Sequence, residues 1–214
     1  MKENIIESLI KKIKDNLINE RKSDELSLKL SRLVIKQFKK DEDFELFDLR
    51  FDRGDEYAVF DFKCYFLEDV DLDDPFSIRA EADMEEIYME ITFNPHYFPD
   101  SMNDLTAEVK ETIEHELEHV EQQNFEDMDV HDNEYDEEDF FEYTTSNKEI
   151  PAFVRGLVKR AKTKKISLNS AMDEWFKENH RNFSDPDEEW PIVKSVWTHY
   201  ANTMREKEKI KKFK

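Results

Sequence analysis

Apolar residues recur at three- and four-residue spacing over residues 3–19, at Ile5, Ile6, Leu9, Ile10, Ile13 and Leu17. That spacing predicts a helix with one apolar stripe. The polar break Arg21-Lys22-Ser23-Asp24 offers Ser23 as an N-cap, and Leu26, Leu30, Leu33, Val34 and Phe38 carry a second helix to about Lys40. Residues 1–40 therefore read as an N-terminal helical hairpin. From Phe44 the period changes to two: Phe47, Leu49 and Phe51 share a face, as do Phe60, Phe62, Cys64 and Phe66. Asp52-Arg53-Gly54-Asp55 between them reads as a tight hairpin turn. Residues 76–83 and 86–94 alternate in the same way, with Ile87, Met89, Ile91 and Phe93 on one side, and Pro95 closes the run. The expectation is a small antiparallel sheet of about four strands.

Helical spacing returns at Leu105, Val109, Ile113, Leu117 and Val120. Residues 124–142 follow, nineteen positions of which ten are acidic, which predicts a solvated loop. Three helices are expected after it, over 147–164, 168–179 and 188–212. Helices, then strands, then helices argue for an α+β fold. The expected organisation is a single domain over 1–214: the hairpin at 1–40, the sheet and third helix at 41–124, an acidic loop at 125–146 and a helical C-terminal half at 147–214.

Composition narrows the function classes. Leu, Ile, Val and Phe make up 55 of the 214 residues, enough for a core and too many for a disordered chain. Asp and Glu number 53 against 32 Lys and Arg, a net charge of -21 that repels phosphate backbones and anionic lipid. Nucleic-acid and membrane partners are thereby disfavoured, and basic peptides favoured. The one cysteine, Cys64, excludes an internal disulfide. No run is long and apolar enough to span a membrane, and the N-terminus lacks the core of a secretion signal, so a cytoplasmic location is expected.

The candidate chemistry lies on the third helix, where His115-Glu116-Leu117-Glu118-His119 contains the pattern H-E-x-x-H. Histidines four apart project from one helical face and can meet one Zn²⁺. With six His and 30 Glu in the chain, chance supplies about 0.02 such matches, so the pattern is a strong signal. Catalytic zinc takes three protein ligands and leaves a position for water, so a third ligand is needed. The longer pattern H-E-x-x-H-x-x-G-x-x-H fails, because Gln122 and Phe125 stand at its last two fixed positions. His131 and the acidic loop, His180, His199 and Glu149 are the candidates, and Glu149 is favoured because it opens an apolar helix able to hold a ligand rigidly. On that helix Ala152, Phe153 and Gly156 share its face, and a mid-helix glycine, which costs about 1 kcal/mol against alanine, suggests close helix packing. The competing reading makes Glu149 a capping-box acid three residues after Ser146, against which the position of Pro151 argues.

His115-Glu116-x-x-His119 followed by a glutamate on a second helix resembles the zincin metallopeptidases, in the gluzincin arrangement of two histidines and a glutamate. The stretch Glu149-Ile150-Pro151-Ala152-Phe153-Val154-Arg155-Gly156-Leu157, with Trp197-x-x-Tyr200-Ala201, is also similar to small zincin-like proteins encoded by bacteriophages. The resemblance covers about residues 86–205. It implies one zinc per chain held by His115, His119 and Glu149, Glu116 as general base, and hydrolysis of a peptide or protein substrate, in a host cytoplasm if the chain is phage-encoded. It also implies that the strand over 86–94 forms a rim for an extended peptide. Tyr143, Tyr200, His199 and His131 are candidate donors to the developing oxyanion. Gluzincins often place an acid shortly after the glutamate to orient a ligand histidine; Ala152 and Phe153 stand there, so Glu118 or the acidic loop would have to serve. The rival class is an acidic interaction protein or DNA mimic, with a structural or catalytically silent zinc site. Asp69-Val70-Asp71-Leu72-Asp73-Asp74 imitates a calcium loop but lacks its glycine and its closing glutamate, and reads as a turn between strands.

Overall fold

A computed structural model describes residues 25–53, 56–83, 86–125 and 139–212. The expected first helix over 3–19, its partner's Ser23 cap, and His131 with most of the acidic stretch lie outside the described residues. The chain divides into two compact units, Met1–Glu126 and Asp127–Lys214. The α+β class holds, with helices flanking a four-stranded sheet in chain order.

In the first unit, helix α1 covers residues 25–38 and is followed by strands β1 (Phe44–Arg53), β2 (Glu56–Glu68), β3 (Phe76–Ala82) and β4 (Glu86–Phe93), then helix α2 (Met102–Phe125). The sheet order is β1-β2-β4-β3, and β2 pairs parallel with β4 while the other two pairings are antiparallel. The expected all-antiparallel sheet is thus corrected to a mixed one. Alternation specifies which side chains face the core, not which strand is the neighbour. Burial carries that information: every second residue of β4 (Ile87, Met89, Ile91, Phe93) is buried, whereas the inward residues of β3 are only half-buried, as suits an edge strand. With β2 on one side and β3 on the other, β4 has no open edge, so it cannot be the rim of an extended peptide; the edges of the sheet belong to β1 and β3.

The β1–β2 hairpin forms as expected, with Arg53 paired to Glu56. Its register slips between Leu46 and Leu49, where β1 uses three steps against two in β2 (Phe62 to Phe60). This one-residue bulge changes the phase of β1, so that Phe44 and Leu46 before it and Leu49 after it all pack at the core. The turn at 69–75 is held by Asn94, whose amide Nδ2 donates to the carbonyls of Val70 (3.0 Å) and Leu72 (2.9 Å). That explains a buried asparagine at the end of β4.

One core serves this unit: Leu30, Val34 and Phe38 of α1, the inward face of the sheet, and Leu105, Val109, Ile113, Leu117 and Val120 of α2. Cys64 sits within it, fully buried, and burial together with the Asp43 carboxylate pushes its thiol well above the ordinary range.

The second unit is helical: α3 (Phe140–Thr145), α4 (Glu149–Lys164), α5 (Leu168–Asn179) and α6 (Pro186–Lys212). Helix α3 corrects the reading of its residues as loop. Asp139 caps it through Oδ1, which accepts from the Phe141 and Glu142 amides at 2.9 and 3.1 Å, and Phe140 packs against Trp175 and Phe183. An aromatic core follows, with Trp175 and Phe153 against Trp197, whose indole N–H donates to the Thr144 carbonyl at 2.9 Å. Helix α4 ends at Lys165, held left-handed at φ 58°, while the Ile166 amide reaches back to the Ala161 carbonyl at 3.0 Å, the six-to-one bond of a Schellman cap.

Replacing Lys165 with glycine removes the cost of a left-handed side-chain-bearing residue, so Lys165→Gly should raise stability by about 1 kcal/mol in urea unfolding. Cys64 should resist an aromatic disulfide reagent in the folded protein and react one-to-one after denaturation; rapid native modification would show that the sheet does not seal it.

Candidate metal centre

Helix α2 is positioned by its apolar stripe. Leu105, Val109, Ile113, Leu117 and Val120 are all at 0% exposure, and packing them fixes the rotation of the helix about its axis. At about 100° per residue, His115 and His119 then fall together away from the stripe's centre. Their rings lie 4.7 Å apart, centroid to centroid, at 79°, and their Nε2 atoms approach to 3.0 Å. Two nitrogens bound at 2.0–2.1 Å to one tetrahedral zinc stand about 3.3 Å apart, so the pair fits a shared metal with a displacement of a few tenths of an ångström.

Glu116 is buried at 6% exposure, and His119 at 7%, while His115 is half-buried. Glu111, Glu114 and Glu118 are buried on the same helix. The imidazole of His119 makes a second contact that sequence reasoning missed: its Nδ1 lies 3.3 Å from Oε1 of Gln122. Gln122 entered that reasoning only as a departure from the longer motif. The available signal was its spacing, since a residue three positions on reaches the same helical face.

In the second unit, Glu149 is the first residue of α4 and is 3% exposed. Ser146, extended at φ -68° and ψ 151°, does cap this helix: its Oγ accepts from the Glu149 amide at 3.2 Å and its carbonyl from the Ile150 amide at 3.0 Å. The expectation that Pro151 would exclude this register is therefore corrected. A full capping box would also turn the Glu149 carboxylate back onto the Ser146 amide, but that amide donates to the Tyr143 carbonyl at 3.2 Å. The backbone of Glu149 thus serves the cap while the cap leaves its side chain to other work. The buried Gly156, with Ala152 buried on the same face, is consistent with a helix face that is closely covered.

The remaining described candidates belong to the second unit. His180 is exposed, with Nδ1 at 2.9 Å from the Lys177 carbonyl of its own turn. His199 is exposed on α6, and its carbonyl accepts from the Thr203 hydroxyl at 3.0 Å. Tyr143 and Tyr200 are half-buried beside the aromatic core, Tyr143 with its ring edge-on to Phe153 at 5.7 Å.

No family model, curated protein or solved structure matches this chain. Ser146→Ala removes the side-chain half of the α4 cap and should lower stability by about 1 kcal/mol in chemical denaturation; an unchanged midpoint would mean that the cap does not hold the start of α4.

Proposed function

We propose that the chain is a zinc-dependent peptidase of zincin type, in which His115, His119 and Glu149 hold one zinc ion and Glu116 is the general base. The observation that carries the reading is the approach of the two Nε2 atoms to 3.0 Å on a helix whose packing fixes them there. Two imidazoles, a carboxylate and an open position make the donor set of a catalytic zinc, whereas a structural zinc closes its shell with four protein ligands. Glu149 suits the third place because it is a buried carboxylate on the first residue of a packed helix, where a cation would stabilise its charge.

When bound, zinc supplies a Lewis acid for the scissile carbonyl and a water of lowered pKa. Glu116, one residue from His115 and buried, takes the proton of the attacking water and returns it to the departing amine. Tyr143 and Tyr200 are the candidate phenol donors to the developing oxyanion, and His199, the described histidine candidate, is exposed. The chain's negative field favours basic peptides as substrates. A phosphate-mimicking surface gains little from Glu111, Glu114, Glu116 and Glu118, which are buried, and this weighs against the mimic. No helix among the described residues is long and apolar enough to cross a membrane, which accords with a peptidase acting in the cytoplasm.

Protein purified without a metal-binding tag should carry about one zinc per chain by elemental mass spectrometry, and His119→Ala or Glu149→Ala should lose most of it. Glu116→Gln should retain the zinc while peptide-library cleavage falls by about a thousandfold or more. Wild-type protein with zinc bound but no cleavage would identify a silent site, and full activity in Glu116→Gln would overturn the mechanism.

A further inference from the structure

The second unit contains a cavity of about 690 Å³, walled by the end of α4, the turn into α5 and one face of α6. Sites for small ligands have volumes of roughly 300–1,000 Å³. Val158, Ile166, Leu168 and Met204 line it at the margin of the aromatic core, and each is only half-buried, so apolar surface stays open there. Its charge runs against that of the chain. A random draw of 13 residues from a chain with 53 acids in 214 would hold about three, yet the 13 lining residues include no Asp or Glu. They include Lys162 and Lys165 of the α4 end and Arg205 of α6, all exposed. Arg160 and Lys164, also on α4, are paired with Glu178 and Glu174, whereas among the described residues Lys162, Lys165 and Arg205 form no ion pair. The backbone adds a second sign. Lys165 is left-handed at φ 58°, where glycine would be less strained, so a lysine at the cavity is held there against the local preference.

We propose that this cavity binds a small apolar monocarboxylic acid, an acyl carboxylate whose chain lies along Val158, Ile166, Leu168 and Met204 and whose head group meets Lys162, Lys165 and Arg205. The apolar lining supplies affinity in proportion to the chain length it covers, and the three cations supply the preference for an anion. The net charge of -21 decides between a small acid and an acidic peptide. Long-range repulsion from the carboxylates of the chain grows with the charge of the ligand, while the three cations act mainly at close range. A monoanion meets that repulsion once, and a peptide with several acids meets it several times. The site uses no residue of the metal centre, so it stands whether or not zinc binds.

Calorimetric titration of the full-length protein with decanoate, far below its micelle-forming concentration, should show saturable binding of one molecule per chain; no saturable binding overturns the proposal. Octanoate, shorter by two methylenes, should bind roughly 10-fold more weakly. Decanol has the same chain without the charge and should also bind roughly 10-fold more weakly, and an equal affinity would remove the role of the cations. Lys165→Gly separates binding from folding. It relieves the left-handed strain, so it should raise the unfolding midpoint while weakening decanoate roughly 3- to 10-fold. Arg205→Glu reverses a charge on the opposite wall and should weaken decanoate roughly 10-fold or more. Wild-type affinity in both variants would place the ligand outside this cavity and overturn the assignment. A peptide of glutamates around a leucine pair that displaces decanoate at lower concentration than octanoate does would overturn the choice of a small acid.

Discussion

The burial of one helical stripe governs the candidate site. Leu105, Val109, Ile113, Leu117 and Val120 of α2 leave water completely, each contributing about 1.5–3 kcal/mol. Turning α2 by a single residue, about 100°, would bring these side chains out of the core and drive charged ones into it. The helix is therefore locked in rotation, and residues 115, 116 and 119 inherit their directions from that lock. No direct contact of the histidines with the sheet is needed for this. Their geometry follows from leucine, isoleucine and valine packing into the core shared with the inward face of the sheet.

Charge is the second constraint. A chain at -21 has to manage its carboxylates, and several of them meet a cation of their own unit. In the second unit Arg160, almost fully buried, meets the Glu178 carboxylate with both of its terminal nitrogens, and Lys164 pairs with Glu174 at 2.9 Å. The planar guanidinium suits such a two-point contact, so this pairing fastens α4 to α5 as well as balancing charge. On the outward face of the sheet Lys63 pairs with Glu86, which sits diagonally across the β2–β4 ladder, and this contact is the main reason its ammonium is held above the ordinary lysine range. These pairs are distributed, and each is confined to its own unit.

The readings of Glu149 illustrate how one residue can satisfy a local rule while its side chain answers to something else. Its amide completes the Ser146 cap, which is a backbone matter, and the reciprocal contact that would use its carboxylate is replaced by the Tyr143 carbonyl. Helix starts commonly carry acids because of the helix dipole, and from that tendency alone Glu149 looks ordinary. Its near-complete burial is what sets it apart, since a carboxylate withdrawn from water needs compensation.

Periodicity made much of the architecture legible. The strand positions, the β1–β2 hairpin, α2, α4 and α5, and the phase that sends His115 and His119 to one side of α2 all follow from local spacing, because a regular helix or strand translates sequence interval directly into direction. The parallel pairing of β2 with β4, the interior place of β4 and the bulge at residues 46–49 did not follow, because hydrogen-bonded neighbours are chosen by the whole sheet and leave alternation unchanged. Helix α3 was hidden by the acids around it, although Phe140 and Phe141 gave it an apolar face that only the aromatic core of its unit makes stable. Gln122 was visible as a letter but not as a partner. Which atom of His119 it meets depends on two rotamers, and packing selects those after the chain has folded.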